Sequence, residues 1–157
     1  VSAADGTGVW LGVDVGTVRV GVARSDPGGV LASPLTTVDR DADTDADVRA
    51  LADLVREHEA VGVVVGLPVT LAGREGPSAT MARQYAAKLG AVISPIPVEL
   101  VDERLSTVVA ERTLAARGIR SRARRAVIDQ TAAAEILQHW LAVRAARSKP
   151  QSAGEGA

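Results

Sequence analysis

Gly12-Val13-Asp14-Val15-Gly16-Thr17-Val18-Arg19-Val20-Gly21-Val22-Ala23 decides how the rest of the chain is read. It has the pattern of an apolar strand that breaks at Gly16-Thr17 and resumes as a second strand, with a single carboxylate, Asp14, among valines. Strand interiors disfavour Asp, and a buried carboxylate is costly unless it finds a cation, a metal or a proton. Two readings follow: an exposed Asp just before a tight turn, or a metal ligand whose partners lie elsewhere in the chain.

Working outward, Val9 to Val15 and Val18 to Ser25 predict two strands joined at the glycine turn. Asp26-Pro27-Gly28-Gly29 marks the next turn, and Val30 to Val38 a third strand, giving an antiparallel meander. After the acidic segment 39–47, Val48, Leu51, Ala52 and Val55 fall at i, i+3, i+4 and i+7 of a helix that Asp43 or Thr44 is placed to cap and that His58 ends. His58 is expected as a surface group favoured by the helix C-terminus, not as a ligand, because no metal-type residue is paired with it. Val61 to Gly66 is a continuous apolar run of the kind found in a strand buried on both faces. A polar loop over 71–77 lacks the phosphate-loop pattern. Ser78 then predicts a helix start, with Met81, Tyr85 and Leu89 on one face and Gly90 at its end. A strand from Pro97 to Asp102, a helix from Ser106 or Thr107 to Arg117, an arginine-dense connection over 118–125 and a last helix from Ala126 to Arg147 complete the chain. The fold class expected is α/β: a mixed five-stranded sheet, three antiparallel strands then two parallel, flanked by helices. Residues 1–147 read as one domain and 148–157 as a disordered tail.

Composition narrows the function. At 157 residues the chain is long enough for one core, and Trp10, Tyr85 and Trp140 are its only aromatics, so aliphatic side chains must build that core. There is no cysteine, which excludes disulfides and thiolate metal sites. No apolar run approaches the roughly 20 residues that span a bilayer, so a cytoplasmic protein with no membrane partner is expected. Over residues 1–57 ten acidic side chains face five arginines, whereas over 117–149 eight basic ones face Asp129 and Glu135. This asymmetry points to a local basic face and a polyanionic partner.

The last helix supplies a partner for Asp14. With Asp129 at i, Ala132, Ala133, Ile136 and Trp140 occupy i+3, i+4, i+7 and i+11, so the carboxylate lies on the apolar face. The helix macrodipole favours an Asp in the first turn but does not account for that face. Small Ala132 and Ala133 would let the helix approach the sheet. The Asp102-Glu103 pair closes the last strand, at the edge where an open α/β sheet places its ligands.

Together with Val63-Val64-Val65-Gly66-Leu67-Pro68, the run 98–107 (V-E-L-V-D-E-R-L-S-T) and the run 124–137 (R-R-A-V-I-D-Q-T-A-A-A-E-I-L), the opening stretch resembles the successive motifs of the YqgF/RuvX family over roughly residues 9 to 142. The resemblance implies a ribonuclease H-like fold and a nuclease. The family is described both as a Holliday junction resolvase and as the nuclease maturing the 5′ end of pre-16S ribosomal RNA. Carried over by position, it implies an acidic centre of Asp14, Glu103 and Asp129 holding Mg²⁺ or Mn²⁺, with Asp102 as alternative or support. Neighbouring strand residues point to opposite faces, so only one of Asp102 and Glu103 is expected to be a ligand, and the longer Glu103 is preferred. Other ribonuclease H-like resolvases usually carry their second acid at the end of the fourth strand. Here that place is Gly66-Leu67-Pro68, so the acid must come from the neighbouring strand. Two oxygen-ligated divalent ions would serve both ends of a phosphodiester hydrolysis. Neither His58 nor His139 is needed, and His139 reads as an ordinary helix residue.

Thr17, Arg19, Arg104, Arg120, Arg122, Arg124 and Arg125 are the expected substrate contacts, with Arg117 nearby. Scarce aromatics predict recognition by backbone and shape. The partner implied is nucleic acid, pre-rRNA in ribosomal particles or branched DNA, bound by a monomer or a homodimer. Other readings are a weakly catalytic binding module or a fragment of an actin-like ATPase, the latter disfavoured because the length leaves no second lobe.

Overall fold

The computed structural model describes residues 7–103 and 122–148. Five strands form one sheet in the order β3-β2-β1-β4-β5. They are β1 (Trp10–Val15), β2 (Arg19–Ser25), β3 (Ala32–Asp39), β4 (Gly62–Leu67) and β5 (Val98–Asp102). β1 pairs antiparallel with β2 and parallel with β4, β2 pairs antiparallel with β3, and β4 parallel with β5. The meander and the two parallel additions are thus as the pattern predicts. The uninterrupted apolar run becomes β4, buried at every position because it lies inside the sheet with both faces covered.

Among the described residues three helices cover those faces: α1 (Ala46–Glu57), α2 (Pro77–Ile93) and α3 (Arg122–Ser148). Strand alternation sorts the side chains between them. Leu11, Val13, Val20, Val22, Val63 and Val65 point to the α1 and α2 side, where they meet Val48, Leu51, Val55, Tyr85 and Leu89. On the opposite face Trp10, Ala23 and Val64 meet Ala132, Ala133, Ile136 and Leu137 of α3. Among the described residues no helix is long and apolar enough to cross a membrane.

Helix boundaries differ from expectation in five places. Neither Asp43 nor Thr44 caps α1. Asp41 instead takes both of their amides on its own carboxylate, at 3.2 and 3.1 Å, closing a turn that ends with Asp45 in the left-handed region before the helix starts. α2 begins at Pro77, not with Ser78 as cap, because proline has no N–H to satisfy and its φ is already helical. It runs through Gly90 to Ile93 and stops where Ser94 precedes Pro95, since a residue before proline disfavours the helical region. α3 begins at Arg122, so Arg122, Arg124 and Arg125 belong to a helix and not to a connection; arginine is a good helix former. The same helix includes Ser148, which the composition places in the tail. The helix expected over 106–117 lies outside the described residues.

Candidate active site

Asp14 faces α3. Along β1, Trp10, Gly12 and Asp14 share that side, and Asp14 pairs in register with Gly21 of β2. The parallel register with β4 pairs Val13 with Val65, and its next step brings Asp14 beside Gly66. Asp14 therefore lies between two residues without side chains. Its own side chain is buried, at 2% exposure. The reading of Asp14 as an exposed residue before the turn is excluded by that burial.

Each flanking glycine makes room for another acid. At Gly21 an added Cβ would collide with the backbone carbonyl of Asp129 and come within 3.0 Å of the Gln130 amide nitrogen. α3 thus rests its first turns directly on β2. At Gly66 an added Cβ would collide with the carboxylate Oε1 of Glu103 and stand 2.7 Å from Ile136 Cδ1. The Glu103 carboxylate fills the space that a side chain on β4 would otherwise occupy. An acid from the end of the neighbouring strand thus stands over the end of β4.

The same geometry separates Asp102 from Glu103. Asp102 pairs in register with Leu67, whose side chain belongs to the α1 and α2 face, whereas Glu103, one residue on, turns to the α3 face and is 3% exposed. Asp102 is half-buried at the β5 edge, beside a groove of about 850 Å³ between β5 and the second half of α3.

Asp129 reaches the site from α3, with Ala132, Ala133 and Ile136 buried beneath it. Its carboxylate Oδ2 accepts a hydrogen bond from Arg19 Nε at 2.8 Å, an ion pair whose members are 17% and 16% exposed. Among the described residues, no three acidic or histidine side chains are gathered tightly enough to hold an ion. The donor chemistry nevertheless fits a hard divalent cation: all three side chains offer carboxylate oxygens, and the Gly66 cradle holds one of them on the face shared with Asp14.

Of the expected substrate contacts, Thr17 is exposed in the β1–β2 turn, just past Val15 and Gly16. Arg19 is engaged with Asp129, and Arg124 and Arg125 are exposed at the start of α3. Arg104, Arg117 and Arg120 lie outside the described residues. His58 ends α1 and its Nδ1 lies 3.2 Å from Arg24 Nη1, away from the acids. His139 lines the β5 groove.

Residues 8–143 match the model of a family described as RuvX, Holliday junction resolvase. The chain belongs to the RuvX family. A Frankia casuarinae relative is 56% identical over 142 residues, covering 90% of this chain and 70% of its own. A relative from Mycobacterium sp. (strain KMS) is 55% identical over 152 residues, 96% of this chain and 90% of its own. Both carry the provisional name of pre-16S rRNA nuclease. Among solved structures, Thermus thermophilus RuvC in complex with Holliday junction substrate aligns with a TM-score of 0.51 at 15% identity, over 88% of this chain and 96% of that one. At that identity the likeness is one of fold, and it agrees with the ribonuclease H-like sheet expected from the motifs.

Sequence reasoning missed Arg40 in this RuvX-family chain. Its Nη1 donates to Gly16 O at 3.0 Å and its backbone N–H to Val18 O at 2.8 Å, so it grips the turn next to Asp14. Arg40 sits in the acidic segment that leads into the first helix, and no local periodicity marks it out.

Proposed function

We propose that this chain is a metal-dependent nuclease that hydrolyses phosphodiester bonds in maturing the 5′ end of pre-16S rRNA, in the cytoplasm. The observation that carries the reading is the placement of two buried carboxylates, Asp14 and Glu103, on one face of the sheet, with Asp129 delivered over the adjoining strand by α3. Family membership and the names of the relatives supply the substrate class.

Asp14, Glu103 and Asp129 would hold Mg²⁺ or Mn²⁺. When bound, such ions would supply Lewis-acid activation of water and charge stabilisation at the leaving oxygen. The chain's own residues do the rest. Arg19 orients the Asp129 carboxylate and offers a cation beside it. Arg124 and Arg125, exposed on the first turns of α3, meet the phosphate backbone, where contacts position the strand without reading its sequence. Asp102, on the other side of β5, supports the strand end and is not a ligand in this arrangement.

Asp14→Asn should abolish Mg²⁺- or Mn²⁺-dependent cleavage of a pre-16S 5′ segment while circular dichroism stays that of the parent. Full cleavage by the purified variant defeats the mechanism. The family description favours a second reading, resolution of branched DNA by the same centre. Pre-16S RNA, four-way-junction DNA and linear controls compared under one metal condition decide between them, and a stable dimer making paired cuts would favour the junction.

A further inference from the structure

The turn that follows Asp14 is held from behind by a charge pair between half-buried Arg40 and buried Asp47. Arg40 comes directly after β3. It binds Val18 O through its backbone N–H at 2.8 Å and Gly16 O through Nη1 at 3.0 Å, so one residue holds both sides of Thr17. Its guanidinium is seated in turn. Nε lies 3.2 Å from Asp47 Oδ2 on α1, and Cζ lies 5.1 Å from the centroid of the Tyr85 ring on α2. Asp47 and Tyr85 are 2% and 3% exposed. Burial, and after it the Asp47 charge, pushes the Tyr85 phenol above its ordinary value, so the ring stays neutral beside the pair. A charge pair at this depth gains little over apolar packing of the same volume. Apolar side chains, however, cannot donate to the carbonyl of a turn, and a planar guanidinium can do so while facing a carboxylate.

We infer that Arg40, seated by Asp47 and Tyr85, is a positioning residue that sets the Gly16-Thr17-Val18 turn, and with it Asp14 and Thr17, against the substrate phosphate. This role rests on the nuclease reading above. A misplacement of 1 Å among reacting groups costs about 10²-fold in rate, so a loosened turn should appear in kcat before it appears in substrate binding.

The experiment pairs Arg40→Lys with Arg40→Met. It measures cleavage kinetics on a pre-16S 5′ segment in Mn²⁺, thermal unfolding, and hydrogen exchange at the Gly16 amide, which donates to Arg19 O at 2.8 Å across the turn. Lysine keeps a cation for Asp47 but has no fork to reach Gly16 O as well. Arg40→Lys is therefore expected to unfold near the parent temperature, to exchange faster at Gly16, and to lose roughly 10²-fold in kcat with KM little changed. Arg40→Met should show the same kinetic loss with a lower unfolding temperature. Full recovery of kcat in Arg40→Lys, or parental exchange at Gly16 in that variant, overturns the inference and leaves Arg40 as a core ion pair only. Should the parent protein cleave none of the substrates, the nuclease reading fails, and exchange at Gly16 in Arg40→Lys still decides whether Arg40 sets the turn.

Discussion

Replacing Gly21 by alanine should cost this protein its activity through one methyl group that touches no substrate. A Cβ at Gly12 would stand 2.7 Å from Leu137 Cβ, 0.7 Å inside the 3.4 Å at which ordinary contact begins, and at Gly21 the shortfall against the Asp129 carbonyl is about twice as large. The obstacle is helix backbone, which cannot rotate aside as a side chain can, so the first turns of α3 must lift from β2 by more than about 1 Å. Overpacking of this kind costs about 1–3 kcal/mol, which for a chain of this size lowers the unfolding temperature by roughly 2–4 °C per kcal/mol. The same lift carries Asp129 away from Asp14, and an error of that size in a reacting constellation costs about 10²-fold in rate. Cleavage of a pre-16S 5′ segment in Mn²⁺, followed well below the unfolding temperature, separates the two effects. Gly90→Ala is the control: the nearest atom to its added Cβ is Val98 Cγ2 at 3.7 Å, and alanine in a helix should stabilise by up to about 1 kcal/mol without touching kcat. Parental cleavage and an unchanged unfolding temperature in Gly21→Ala would refute the close docking of α3 and the placement of Asp129 that depends on it.

Three further outcomes rest on the same geometry. Arg19→Met removes the cation paired with Asp129 at 2.8 Å, so calorimetric titration should show tighter Mn²⁺ binding by the RNA-free protein even as cleavage falls; weaker Mn²⁺ binding would refute the competition between Arg19 and the ion for the Asp129 carboxylate. Converting Arg124 and Arg125 to alanine should weaken RNA binding and flatten the dependence of log K on log[salt] by about 0.7 for each single-strand phosphate no longer neutralised, and an unchanged slope would remove them from the interface. Tyr85 is the only tyrosine, and its phenol is raised above the ordinary value of 10.0, first by burial and then by Asp47. A raised value means that the neutral phenol favours the folded state: this contribution is complete below about pH 10 and is lost as pH rises towards the folded-state value. Phenolate absorbance should therefore stay absent through pH 10 and appear only with unfolding, whereas a normal titration in the folded protein would contradict the burial.

Local pattern alone determined much of this protein. The glycine break after Asp14, the continuous valines of β4 and the helical spacing around Asp129 are short-range signals, because side-chain direction repeats every two residues in a strand and every 3.6 in a helix. They are enough to predict the mixed sheet and to mark Asp14 and Asp129 as carboxylates on apolar faces. Only the tertiary structure decided which of two adjacent acids shares the face of Asp14. Asp102 and Glu103 are adjacent, and the register of β5 on β4 turns one to each face. Tertiary structure also gave Gly21 and Gly66 their meaning: a glycine in a strand says only that a side chain is missing, while the α3 backbone and the Glu103 carboxylate that use the space arrive from far along the chain. The Arg19–Asp129 pair spans 110 positions, and the seat of Arg40 joins the end of β3 to α1 and α2. Such contacts depend on how elements pack, which no periodicity within one element encodes.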